Sequence, residues 1–254
     1  MLRALLYSSA FSVLTAFPLM SGAALAEAPD IIKATLAEKN AATGEISTGE
    51  MRRILASRAA LVIDTRSQAE FEAGHIPGSR HIEAAGDQFP IAVEKALGGD
   101  RSRLIVLYCN GPYCQASRRM GQQLVKAGFT NVKRYQLGLP VWRALGGPVQ
   151  VDAGGVRRVL ESDRSAVFVD VRQKEQHDKG TIASAISAPA SDLASGQLKK
   201  IPLPEDDFNR RVIIFGDKSG DALAVATMMS KRPWHNVMFF AGRYAEIGSD
   251  GAFR

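Results

Sequence analysis

The chain has 254 residues, 46% hydrophobic and 23% charged, which is ordinary globular composition with enough apolar material for one large domain or two small ones. Its net charge of +6 is mild. The Lys and Arg residues are spread along the chain without interleaved aromatics, which argues against a nucleic-acid surface while leaving small anions modestly favoured.

Taken from the N-terminus, Arg3 is the only charge before Glu27. A mostly apolar run follows, and Ser21-Gly22-Ala23-Ala24-Leu25-Ala26 places small residues at an Ala-x-Ala cleavage site. Residues 1–26 therefore read as a secretory signal peptide, predicting a periplasmic or secreted protein. The competing reading is an uncleaved anchor, because residues 4–26 carry no charge. Pro18, Ser21, Gly22 and the cleavage site favour removal. No later segment approaches ~18 consecutive apolar residues, so no stable membrane insertion is expected after cleavage. Residues 27–44 form a lead segment, either a helix packed on the first domain or a mobile stretch.

An internal repeat organises the remainder. Leu61-Val62-Ile63-Asp64-Thr65-Arg66 returns as Val167-Phe168-Val169-Asp170-Val171-Arg172, and Gly74-His75-Ile76 returns as Gly180-Thr181-Ile182. Asp64, Arg66 and Gly74 each stand 106 residues before their counterparts. The apolar runs 104–108 and 211–215 recur at almost the same offset, and Asn131-Val132 is followed in the same order by Asn236-Val237. Such spacing indicates a duplicated domain. Short Val/Ile/Leu runs suit strands buried on both faces of a parallel sheet. Helical stretches lie between them, at 48–57 and at 115–127 before Gly128. The predicted fold class is α/β, two tandem domains, each a mostly parallel sheet with helices on both faces. Their expected extents are 45–148 and 156–254, with 149–155 as a linker after Gly146-Gly147-Pro148.

The chain's two cysteines, Cys109 and Cys114, share one short loop, Tyr108-Cys109-Asn110-Gly111-Pro112-Tyr113-Cys114. Closing so short a loop contributes little entropic stabilisation, which turns attention to chemistry. The strand 104–108 leads into this loop, and a helix starts near Gln115. Backbone N–H groups and a helix N-terminus then point at the loop centre, a cradle for an anion involving Asn110, Gly111, Tyr113 and Gln115. A cysteine there has its pKa lowered and is nucleophilic as the thiolate. Pro112 lacks an N–H and removes one donor. Arg118 and Arg119, in the first turns of the helix, are candidates for attracting an anion.

These features resemble the rhodanese family. Asp64-Thr65-Arg66, Glu70-Phe71 and Gly74-His75-Ile76-Pro77-Gly78-Ser79 are similar to its first signature. Tyr108-Cys109 falls at its active-site position, and Gly128-Phe129-Thr130-Asn131-Val132 with residues 138–142 is similar to its C-terminal signature. The resemblance covers nearly all of the first domain and more faintly residues 156–247. It implies sulfur transfer: Cys109 takes a sulfane sulfur from a small sulfur-containing anion or a persulfide donor, holds it as a persulfide, and passes it to a thiol acceptor. Asp64 and Arg66 are expected to support the loop, and His75 to pack rather than act as a base. No cofactor is expected.

Two departures qualify this expectation. The family's loop usually carries Arg, Ser or Thr five residues after the cysteine, where this chain has Cys114. The loop thus lacks an internal cation but offers a second thiol. That thiol can resolve a Cys109 persulfide, or form a dithiol–disulfide couple with Cys109 that needs a thiol reductant. In the second domain, Phe215-Gly216-Asp217-Lys218-Ser219-Gly220 stands where the cysteine loop would be, so covalent sulfur chemistry is excluded there. The related Cys-x5-Arg phosphatase pattern fails at Gln115, and the pair is spaced Cys-x4-Cys, not Cys-x-x-Cys. Two cysteines and four scattered histidines give no recognisable metal site. The alternatives carried forward are a non-catalytic binding or sensing module and a periplasmic thiol–disulfide redox protein.

Overall fold

Four consecutive buried residues, Leu61–Asp64 (β2), lie beside four others, Ile105–Tyr108 (β4), in parallel register. Alternate side chains of this ladder feed different cores. Val62, Val106 and Tyr108 face one cluster, and Leu61, Ile63, Ile105 and Leu107 face another. A strand with period-2 side chains and helices on both sides requires this division, which is why the runs are apolar throughout. The computed structural model describes residues 41–193, 201–203 and 205–248. The expected signal peptide and residues 27–40 of the lead segment lie outside the described residues.

The first sheet is completed by Gly44–Glu45 (β1), Arg80–His81 (β3) and Val132–Tyr135 (β5), in the order β1-β5-β4-β2-β3 with every pairing parallel. Its helices are Thr48–Ser57 (α1), Gln68–Ala73 (α2), Gln88–Ala96 (α3), Gln115–Lys126 (α4) and Gly138–Ala144 (α5). Ser47 with Glu50, and Ser67 with Glu70, form capping boxes that start α1 and α2. Gly128, at φ +87, follows the end of α4.

The second half repeats the plan. Val149–Val151 (β6), Val167–Asp170 (β7), Ile186–Ser187 (β8), Val212–Gly216 (β9) and Val237–Arg243 (β10) form a parallel sheet in the order β6-β10-β9-β7-β8. Ala153–Ser162 (α6), Lys174–Lys179 (α7), Ser219–Met229 (α8) and Tyr244–Ile247 (α9) accompany it. Substituting β6 for β1, and so on in chain order, turns one strand order into the other. The duplicated α/β architecture expected from the repeat is therefore present.

Two boundaries differ from expectation. Residues 149–155 are not a linker: β6 pairs with β10 through Val149, Gln150 and Val151, and α6 begins at Ala153. A strand whose buried valines flank a half-buried glutamine fits a sheet edge, and the preceding glycines had masked it. Gly44, assigned to the lead segment, already belongs to β1.

The two halves share an interior. One apolar cluster takes in Val106, Tyr108 and Trp142 from the first half and Val149, Phe168, Phe215 and Met238 from the second. His75 and Gln150 exchange backbone hydrogen bonds of 2.8 and 2.9 Å across the junction, and Arg158 pairs with Glu72 at 2.9 Å. Gly155 packs so closely that an added Cβ would stand 2.2 Å from the Glu72 carbonyl oxygen. Gly155→Leu is expected to cost about 1–3 kcal/mol through overpacking. Urea denaturation followed by circular dichroism checks this, and an unshifted midpoint would contradict so tight an approach.

Candidate active site

In each sheet the strand order reverses between the two central strands, β2 and β4 in the first. The crevice beyond their C-terminal ends is where open parallel sheets place ligands. Asp64 ends β2 there, and Cys109 directly follows β4. Cys109 is 3% exposed and is joined to Cys114 by a disulfide, with Cα atoms 6.1 Å apart. Cys114 is the N-cap of α4, so the bridge spans the loop from strand end to helix start.

Backbone contacts shape the loop. The Cys109 carbonyl accepts from the Leu139 N–H at 3.0 Å, and the Cys114 N–H donates to the Gly111 carbonyl at 3.0 Å. Gly111 has φ +108 and Gly138 φ +65. A Cβ on Gly138 would lie 2.3 Å from the Cys109 oxygen and 2.5 Å from the Gly111 nitrogen. Only glycine fits that position on both conformational and steric grounds. The sequence reading placed Gly138 within a signature but missed its role, for which a glycine just after a strand was the available signal. Gly138→Ala is expected to cost about 1–3 kcal/mol and to displace the loop. Denaturant titration, together with the rate at which reduced Cys109 reacts with a thiol reagent, checks both effects.

Of the expected cradle residues, Gly111 is buried, Asn110 and Gln115 are exposed, and Tyr113 is 95% exposed at the loop tip. Among the described residues, the N–H groups of Asn110, Gly111, Tyr113 and Gln115 have no hydrogen-bond partner. The Asn110 side chain donates to Glu70 Oε1 at 2.7 Å. Glu70 thus holds both the start of α2 and the reactive loop. Hydrogen bonds from Ser67 and then Asn110 keep its carboxyl below the usual range, against the opposing effect of burial.

Asp64 and Arg66 form a bidentate buried pair, with Arg66 Nε 2.9 Å from Oδ1 and Nη2 2.5 Å from Oδ2. Arg66 Nη2 also donates to the Gly74 carbonyl at 2.6 Å, clamping the end of β2 to the turn after α2. Burial alone would lower the guanidinium pKa, but the hydrogen bonds and charge of Asp64 outweigh it and leave the pKa raised. Beside the pair, the Tyr108 hydroxyl accepts from the Ile76 N–H at 3.0 Å and sits 3.0 Å from Ser79 Oγ. Burial and then the Asp64 charge push its pKa well up, so it stays protonated. Asp64→Ala is expected to cost about 3–5 kcal/mol by stranding a buried cation. Replacing both partners with apolar residues of similar size should cost less; equal losses would show that the pair's charges do not matter.

His75 stacks on Phe71 with ring centroids 3.8 Å apart, and its Nδ1 lies 2.9 Å from the Phe71 carbonyl oxygen. Burial lowers its pKa, so near neutrality it is an uncharged packing group. Arg119 is exposed and Arg118 half-buried on α4, and neither borders the cleft beside Asn110. That cleft, of about 340 Å3, is instead lined by Arg66, Asn110, Leu139, Pro140, Arg143 and His235. Arg143 donates from Nη2 to Asn236 Oδ1 at 2.5 Å and to the His235 carbonyl at 3.3 Å. The second half thereby orients a cation that the loop itself lacks. Arg134, missed by sequence reasoning, is 1% exposed, pairs with Glu45 at 3.1 Å and donates to Ser117 at 3.3 Å. It ties the start of α4 to the sheet edge.

The second half keeps this scaffold without the thiol. Asp170 and Arg172 repeat the clamp, including the bond from Arg172 to the Gly180 carbonyl at 2.8 Å. The Glu70–Asn110 contact returns as Gln176 Nε2 donating to Asp217 Oδ2 at 3.1 Å, with amide and carboxylate exchanged. Gly216 occupies the position of Cys109, where a Cβ would stand 2.8 Å from Val171 Cγ2.

The family model for the rhodanese-like domain matches the chain twice, over residues 47–145 and 154–250. The chain belongs to the rhodanese-like family. Both halves of this tandem rhodanese match, in agreement with the two sheets. An HTH-type transcriptional regulator of Mycobacterium tuberculosis is 35% identical over 108 residues, covering 42% of this chain and 45% of the regulator. The rhodanese thus spans less than half of that relative's length. The thiosulfate sulfurtransferase GlpE of Pseudomonas aeruginosa is 30% identical over 96 residues, 38% of this chain and 81% of GlpE. Among solved structures, the 3-mercaptopyruvate sulfotransferase SseA of Escherichia coli aligns at 16% identity and a TM-score of 0.37, over 80% of this chain and 99% of SseA. At the level of the family, a sulfurtransferase-like role is supported. Among the described residues, no cluster of three or more His, Cys, Asp or Glu could hold a metal ion, and no helix is long and apolar enough to cross a membrane.

Proposed function

We propose that this tandem rhodanese is an exported sulfurtransferase whose first half carries sulfur on Cys109 and whose second half is non-catalytic. The observation that carries the reading is the position of Cys109 at the switch point of the first sheet, in a loop with unpartnered N–H groups and a second thiol within bonding distance. The signal-like N-terminus and the disulfide both favour an oxidising compartment.

The cycle starts when a thiol reductant supplies two electrons to open the bridge, giving Cys109 and Cys114 thiols. The Cys109 thiolate attacks the sulfane sulfur of a small anionic or persulfide donor. The donor's S–S bond breaks, its remainder leaves with the electron pair, and Cys109 becomes a persulfide. The free N–H groups of the loop support its negative charge, and Arg143 beside Asn110 attracts the incoming anion. An acceptor thiolate then takes the outer sulfur and restores the Cys109 thiolate. In its absence the Cys114 thiolate attacks Cys109 Sγ, expelling hydrosulfide and re-forming the disulfide.

The same bridge favours a second reading, a dithiol–disulfide couple that exchanges electrons with a partner without taking up sulfur. Mass spectrometry of the exported protein separates the two after gentle reduction and exposure to thiosulfate or a polysulfide. An adduct of about +32 Da on the Cys109 peptide is expected. A Cys109 that stays unmodified once the bridge is open overturns the sulfur-transfer reading. In Cys114→Ser the adduct should last roughly tenfold longer, because an intramolecular attacking thiol is gone. An unchanged lifetime rejects Cys114 as the resolving group.

A further inference from the structure

Beyond the reactive loop, a groove of about 870 Å3 runs between the two halves, bounded by α1 and α5 on one side and α8 on the other. Its apolar walls include Leu55, Leu145 and Leu223 and both of the chain's tryptophans, Trp142 and Trp234. Leu145 is 51% exposed there, whereas Trp142 and Trp234 are buried. Four cations border the same space: Arg52, Arg143, Lys231 and Arg232. No carboxylate is among its described lining residues. The Arg52 guanidinium stands 5.8 Å from the Trp142 ring, and that of Arg232 stands 5.8 Å from the Trp234 ring.

Volume and chemistry together narrow the occupant. The space is of the size that encloses a small organic molecule, so it is larger than an inorganic anion requires. A wholly apolar occupant would leave four charges without a counterpart. An inorganic anion would leave the exposed Leu145 and the half-buried Leu55 and Leu223 wet. A molecule with an apolar, preferably aromatic, body and an anionic end satisfies both, with burial of the body supplying affinity and the cations supplying orientation.

We propose that this interdomain groove is a binding site for an amphipathic organic anion, a carboxylate or sulfonate on an aromatic or aliphatic body. This goes beyond the sulfur-transfer reading: the groove shares Arg143 and His235 with the cleft beside Asn110, but binding there is read without any reaction at Cys109 and the test leaves Arg143 unaltered.

Both tryptophans line the groove, so intrinsic fluorescence of the full chain reports on it directly. Titration with 1-anilinonaphthalene-8-sulfonate should quench tryptophan emission, transfer energy to the probe and saturate at one probe per chain. The charge-reversed variant Lys231→Glu/Arg232→Glu should bind this probe roughly tenfold more weakly, equivalent to about 1.4 kcal/mol. Its affinity for the uncharged N-phenyl-1-naphthylamine should be unchanged, which also reports that the variant is folded. Failure of the sulfonate to reach the tryptophans of the native chain overturns the proposal. So does equal binding of the sulfonate to native and variant proteins, because the cations would then play no part. Dependence of the signal on protein concentration, with a dimer in size-exclusion chromatography, would assign the groove to a second copy of the chain and likewise overturn it.

Discussion

The cysteine loop depends on two backbone segments touching where no side chain can intervene. Gly138 opens α5 with a positive φ, and the space its missing Cβ leaves is filled by the Cys109 carbonyl and the Gly111 amide. From that contact follow the hydrogen bond between Leu139 and Cys109, the turn through Gly111, and the short span that brings Cys114 to Cys109. The buried Asp64–Arg66 pair works one step further out by fixing the end of β2 against the Gly74 turn. The loop is thus held from below by charge and from the side by close packing, while its tip at Tyr113 stands in solvent.

Duplication makes the chain its own control. The ion pair, the arginine bond to a glycine carbonyl and the link from helix to loop all recur in the second half. These elements therefore belong to the scaffold, because they persist where there is no thiol to serve. At the loop itself, the second half lacks the cysteines and reverses the direction of one polar contact. Asn110 donates a hydrogen bond to Glu70, whereas Asp217 accepts one from Gln176, so the second loop carries its negative charge on its own side chain. A carboxylate at that place disfavours an incoming anion, on the half that orients Arg143.

Much of the fold was legible in the sequence because its strands are buried on both faces and its signals come twice. The 106-residue offset, the apolar runs and Gly128 fixed the α/β plan and the helix of the reactive loop. The edge strand 149–151 was not legible, since three residues after a Gly-Gly-Pro turn carry no periodicity and gain their strand character from β10. In the candidate site, Cys109, Cys114 and the Asp64–Arg66 pair stood out as local patterns. Arg134 and Arg143 did not, and Glu70 stood out only within a signature and not as a partner of Asn110, because these roles come from partners 17, 93 and 40 residues away. Nothing in the chain order announces that an arginine on the first half's last helix will be held by the second half's His235 and Asn236.

Gly216 limits what chemistry the second half can accept by substitution. Val171, between the clamp residues Asp170 and Arg172, leaves only 2.8 Å to a Cβ added at Gly216. Val171 is branched at Cβ and has few rotamers to yield. Gly216→Cys would thus meet a scaffold without room for the added Cβ, although the Asp170–Arg172 pair and its bond to the Gly180 carbonyl are in place. Placing a thiol at the second sheet's switch point would therefore call for a smaller residue at position 171 as well as a cysteine at 216.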